Sequence, residues 1–171
     1  MKKNFFPNKR HQSYFFLFLY ATLIIGFILN ENSSGGAIID YLNQKIISQK
    51  FSERFLETFF NFDKEPTRHS PLLIIILSLF EKFNINDSVI RIINLHFLLL
   101  IILFFYKCLK IKFKNYNKTL LCLISFLLFL SPTYRSLSVW PDSNLYGLLL
   151  FIVSIYYFLN FIEEKNKKKK I

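Results

Sequence analysis

Two clusters of charged residues in this sequence have the types and spacing that chemistry uses. Asp40 follows the run SSGGAII, while Asp63, Glu65, Arg68 and His69 crowd into FDKEPTRHSPLL, immediately before an apolar stretch. A carboxylate can take a proton from an attacking hydroxyl, and Arg and His can hold a phosphate. The same residues also fit a solvated loop in which Asp40 caps a helix and the charges neutralise one another. A later polar segment, YRSLSVWPDSNLYG, carries Arg135 and Asp142. Arg91 lies four residues after Asp87 and three before Asn94, a trio on one helical face that suits a site or an interhelical contact equally.

The elements that must position these residues are apolar. Of 171 residues, 53% are hydrophobic and 19% aromatic, with 22 Phe, and the formal charge is +11. So much apolar sequence excludes a disordered chain, and two cysteines exclude a disulfide-stapled scaffold. Spans are expected over residues 14–30, 89–106, 119–139 and 145–162. Trp140 is expected at headgroup level, Pro141 in the first turn of the last span and Asp142 at its positive end. Ser70 and Pro71 open a further helix over residues 71–83, but its uninterrupted apolar part, Leu72–Phe80, is too short to cross. It is expected as a half-inserted or interfacial helix within the outer loop 31–88. In the same loop, Ile38, Leu42 and Ile46, then Phe51, Phe55 and Phe59, recur at four-residue steps. That spacing predicts two amphipathic helices lying on the outer leaflet or on the remainder of a larger protein.

Charge placement sets the expected topology. Fourteen of the 22 basic residues fall in the N-terminus, in Lys107–Lys118 and in the C-terminal tail, with only Glu163 and Glu164 among them. With residues 71–83 not crossing, all three segments lie inside, as the positive-inside tendency requires. The expectation is a single membrane module over residues 1–171, all-α, a polytopic helical bundle of about four transmembrane helices with both termini cytoplasmic. The terminal KNKKKK is then a membrane flank, and nucleic acid is not an expected partner. Cys108 and Cys122 have no companions at metal-binding spacing, and no G-x-G-x-x-G, Walker or G-x-S-x-G motif occurs. No metal site or cofactor is inferred. Gly147 and Ser154 are expected to let another helix approach, and His96 to hydrogen-bond between helices.

The order of features resembles the start of a polytopic C-type glycosyltransferase, of the branch with protein O-mannosyltransferases, aminoarabinose transferases of lipid A and Rgt-like lipopolysaccharide transferases. A first span is followed by a small-residue exit, an acid, amphipathic helices and T-R-H-S-P-L-L before an apolar helix. An Arg then opens the next span (DSVIR, Arg91), and an acid stands in a second outer turn. The resemblance implies that Asp40 is the catalytic acid of the first outer loop, with Glu31 its rival because the adjacent D-E pair of the family is absent. It implies that Arg68 and His69 take the H/K position before P-L, near the carrier-lipid phosphate. Arg91, Arg135 and Asp142 are further expected binding positions. Ser70 replaces the first proline of the family's P-P.

The implied activity is transfer of a sugar from a polyprenyl-phosphate donor to a carbohydrate or protein hydroxyl, outside the cytoplasm. The implied location is the cytoplasmic (inner) membrane of a bacterium, within the lipid bilayer. Relatives of that kind are longer, which implies a missing C-terminal half or a partner subunit. The alternative is a small non-catalytic tetraspan protein that assembles with a partner.

Overall fold

In the computed structural model, the described residues are 9–33, 36–67 and 69–168, and no strand occurs among them. The helices are α1 (Lys9–Ile28), α2 (Ala37–Glu53), α3 (Phe55–Phe60), α4 (Pro71–Lys82), α5 (Asp87–Lys112), α6 (Lys118–Phe126), α7 (Pro132–Val139) and α8 (Ser143–Lys168). Short 3-10 turns cover Phe62–Lys64 and Leu127–Leu130.

Local chemistry fixes the ends. Ser70, Asn86, Asn117 and Ser131 each accept a backbone N–H at the start of α4, α5, α6 and α7, and Pro71 and Pro132 occupy first-turn positions where no N–H is needed. Asn30 and Asn84 stand at φ 55° and 51°. Beyond each, the chain closes a double hydrogen bond onto the last turn, Asn30 to Phe27 with Glu31 to Gly26, and Asn84 to Glu81 with Ile85 to Phe80. This left-handed ending stops α1 and α4 and turns the following residue back toward the helix.

Two helices, α5 and α8, are long and apolar enough to cross a membrane. The expected third span is not continuous: α6 with its 3-10 turn and α7 meet at Ser131 with a bend of 66°, and the pair counts as a span only if taken together. The break follows from Ser131-Pro132, which ends one helix and caps the next. In α1 the apolar stretch Ser13–Ile28 is a shorter apolar helix, and the Asn30 ending closes it on the C-terminal side. Among the described residues, length and composition alone thus give two candidate spans, or three with the bent pair, against the four expected. The outward faces of α5 and α8, with Leu103, Leu150, Phe151, Phe158 and Phe161 exposed, fit a lipid bilayer.

The core of this bundle is closed by Leu23, Leu98, Phe129, Val139 and Leu145, all with zero exposure. Rings of α5 meet rings of α8 edge to face, Phe97 with Tyr146 at 4.8 Å and Phe104 with Tyr156 at 5.4 Å. In lipid such contacts act through packing rather than water exclusion, so polar ties between helices carry unusual weight. His96 supplies one of them, with Nε2 3.2 Å from the Tyr20 hydroxyl of α1 and Nδ1 2.7 Å from its own helix at Ile92 O. At Gly147 a Cβ would meet no atom within 4 Å, so no described helix of this chain packs closely there.

The second layer is α2 against α4, centred on Ile47, Phe51 and Ile74. The buried stripe of α2 is Ala37, Tyr41, Gln44, Ile47, Ser48 and Phe51, whereas Leu42 and Ile46 of the expected stripe are exposed. Docking on α4 selects the mixed face and leaves the apolar residues outside. Lys45 ties the layers together, donating to both Asp87 oxygens at 2.6 and 2.7 Å and lying 3.7 Å from Glu81. Partial burial works against its charge, but the Asp87 hydrogen bond and the two carboxylates prevail and raise its pKa.

Candidate functional site

Three residues from distant parts of the chain converge where the two layers meet. Asp40 lies in the first turn of α2, His69 two residues before α4, and Asp142 immediately before α8. One ligand atom from each, a carboxylate oxygen or a ring nitrogen, lies within 4.8 Å of the others. Each stands at the N-terminal end of a helix, where unpaired N–H groups favour negative charge. Asp142 uses that property directly: Oδ1 accepts the Asn144 N–H at 2.7 Å. The residue is completely buried, and its Oδ2 has no hydrogen-bond partner among the described residues.

His69 is fixed from two sides. Its backbone N–H donates to Thr67 Oγ1 at 3.2 Å, and its Nδ1 is hydrogen-bonded to Ser143 Oγ at 2.7 Å. Ser143 opens α8 next to Asp142, so one turn of chain supplies both a buried carboxylate and the hydroxyl that orients the imidazole. Two carboxylates and an imidazole can pass protons to and from a hydroxyl, or hold a divalent cation. No local motif links positions 40, 69 and 142, which is why spacing alone gave no metal site.

Glu31 and Arg135 form a different arrangement. Arg135 Nε lies 2.9 and 3.0 Å from the two Glu31 oxygens, its Nη2 is 2.6 Å from Oε2, and its remaining donors reach Thr22 and Phe129 O. Ser33 Oγ adds a bond to Glu31 at 3.2 Å. The Arg135 hydrogen bonds hold the Glu31 carboxyl below its ordinary pKa, against the opposite pull of partial burial, and the Arg135 charge adds to the effect. Gly26 makes room for this fork: a Cβ there would collide with the Glu31 carboxylate and lie 2.9 Å from Arg135 Nη2.

Arg91 and Asn94 end α7. The last four carbonyls of a helix lack partners of their own. Here Ser136 O accepts the Trp140 N–H, Leu137 O and Ser138 O accept Asn94 Nδ2 at 2.8 Å each, and Val139 O accepts Arg91 Nε at 3.0 Å. Arg91 also donates to Asn30 Oδ1 at 2.8 Å and lies 3.8 Å above the Trp140 ring. Trp140 is thus buried against a cation, and Pro141 precedes α8 rather than entering its first turn. Asp87 bonds Lys45, while Arg91 and Asn94 serve the carbonyls of α7.

The structure thus brings Asp40, His69 and Asp142 together, pairs Glu31 with Arg135, and engages Arg91 at the end of α7. Arg68 lies outside the described residues. Glu65 is bonded to Lys50 at 2.8 and 3.1 Å. Comparison of the chain with protein-family models, with curated proteins and with solved structures gives no match.

Proposed function

We propose that this chain is a membrane glycosyltransferase module, or part of one, that moves a sugar from a polyprenyl-phosphate donor to an acceptor hydroxyl on the outer face of a bacterial inner membrane. The observation that carries the reading is the convergence of Asp40, His69 and Asp142, three positions that the resemblance to C-type glycosyltransferases singles out separately. In this reading α1, α5, the bent pair and α8 cross the bilayer, both termini are cytoplasmic, and α4 rests half-inserted.

The chemistry follows from the groups present. Asp40 takes the proton of the acceptor hydroxyl as its oxygen forms a bond to the anomeric carbon. The bond from that carbon to the donor phosphate oxygen breaks, and the polyprenyl phosphate leaves with the electron pair. A sugar or side-chain hydroxyl is a poor nucleophile, so a positioned base contributes about 10²–10⁴-fold. His69 and Arg68 then serve the phosphate.

The test is transfer from a polyprenyl-phosphate donor in membranes carrying the wild-type chain or Asp40→Asn at equal protein level. Loss of transfer in the variant is expected, and undiminished transfer removes Asp40 as the base. A non-catalytic assembly protein is the second reading, favoured by the full use of Glu31, Arg135 and Arg91 in packing. It requires that no donor support transfer and that Asp40 and His69 be replaceable without effect on partner assembly.

A further inference from the structure

We propose that Asp40, His69 and Asp142 bind one divalent cation of the Mg²⁺/Mn²⁺ class. The donor set is two carboxylates and one imidazole, oxygen-rich with a single nitrogen, which suits such ions. Ligands of one ion at about 2.1–2.2 Å can stand no more than roughly 4.4 Å apart. The observed limit of 4.8 Å is within a few tenths of an ångström of that, a small side-chain adjustment.

Burial supplies the independent argument. Asp142 has zero exposure and an Oδ2 without a partner among the described residues. A buried carboxylate oxygen left bare is costly, and a cation between it and Asp40 removes that cost. The Lys and Arg ion pairs among the described residues go to Glu31, Glu57, Glu65, Glu81, Asp87 and Glu163, not to Asp40 or Asp142. Among the described residues, neither Asp40 nor Asp142 has a Lys or Arg ion-pair partner.

The surroundings of His69 complete the site. Metal-bound histidines commonly donate their second ring N–H to an oxygen that fixes the ring. With Nδ1 held by Ser143 Oγ at 2.7 Å, Nε2 is the nitrogen that meets the ion. A cation of this class keeps open positions for phosphate oxygens. Its task, holding the phosphate of the lipid-linked donor, rests on the transferase reading above, whereas its binding does not.

The experiment is titration of Mn²⁺ into the full chain in zwitterionic lipid nanodiscs, with free Mn²⁺ followed by electron paramagnetic resonance. One saturable site is expected. Asp40→Asn and Asp142→Asn each weaken it by at least about tenfold, and His69→Gln removes the imidazole nitrogen modulation from the spin-echo signal. Asn at position 142 keeps an oxygen for the Asn144 N–H, so the α8 start survives, and an unchanged thermal midpoint checks this. Asp63→Asn leaves binding intact. Absence of saturable uptake, or uptake unchanged by both Asn variants, overturns the proposal. A chain that binds Mn²⁺ at this site yet transfers no sugar upholds the cation and sinks the transferase. Lost transfer in Asp40→Asn without any Mn²⁺ uptake does the reverse.

Discussion

Two acidic sites near the same end of the helices are built on opposite terms. At Glu31 the carboxylate receives three close contacts from Arg135 and one from Ser33, and every charge is answered inside the protein. At Asp40 and Asp142 two carboxylates share a cluster with an imidazole and meet no cation among the described residues. The first arrangement is complete and holds α1 to α7. In the second, one acid is fully buried with an oxygen that has no hydrogen-bond partner among the described residues. An answered charge is a structural fastening, and an unanswered one that the fold has buried is a place for something that arrives from outside.

Exchanging the two sites in experiment is the way to break this contrast. The largest effect is expected from Asp40→Asn, a loss of transfer of about 10²–10⁴-fold, with Glu31→Gln retaining most activity per folded molecule. The opposite outcome in the membrane transfer assay makes Glu31 the base. Next comes Arg135→Met, which strands the Glu31 carboxylate. A fully buried pair broken in this way loses about 3–5 kcal/mol. These side chains keep 17% and 20% exposure, so about 2 kcal/mol is expected in denaturant unfolding from detergent. The double variant with Glu31→Gln should recover part of that loss.

Gly26→Ala is expected to destabilise by about 1–2 kcal/mol, because the added methyl occupies the place of the Glu31 carboxylate; unaltered stability means that the fork can shift. Acid provides a milder version of the same test. Glu31 has its folded pKa depressed below the ordinary 4.5. Its stabilisation is present above that value and fades as pH falls through the lower folded one. Thermal midpoints of wild type should decline over that range more than those of Glu31→Gln. The smallest effect belongs to Asp142→Asn, within about 0.5 kcal/mol in stability because the helix start keeps its acceptor. A large loss would turn Asp142 into a fastening too and erase the contrast.

Much of the scaffold was legible in the sequence. Ser70-Pro71 gives a helix start by cap chemistry alone, and the apolar runs of α5 and α8 read directly as candidate spans. Three features were not legible. The ending of α1 depends on Asn30 adopting a left-handed conformation, which composition does not force. The face of α2 depends on its partner: docking on α4 buries Gln44 and Ser48 and exposes Leu42 and Ile46. The third lies in the candidate site. Asp40, His69 and Asp142 each stood out locally, Asp142 first as a helix-end acid, but only tertiary packing puts them in one cluster. The pairing of Glu31 with Arg135 is likewise a matter of tertiary contact, since no local pattern joins positions so far apart.

The short distances also count membrane crossings. On the proposed membrane reading, hydrocarbon about 30 Å thick separates the two faces, so side chains in contact must share a face. Asp40 meets Asp142, and Glu31 meets Arg135 at 2.6 Å, which requires an even number of crossings between them. Lys114 meets Glu163 at 2.6 Å, which requires an even number there as well. With α5 and α8 both crossing, one assignment satisfies all three contacts: the bent pair α6–α7 goes through, and α4 does not. A re-entrant α6–α7 would part Lys114 from Glu163, and a crossing α4 would part Asp40 from Asp142. The 66° bend at Ser131 is then a kink within a completed passage, and parity sets which segments of the chain share a face.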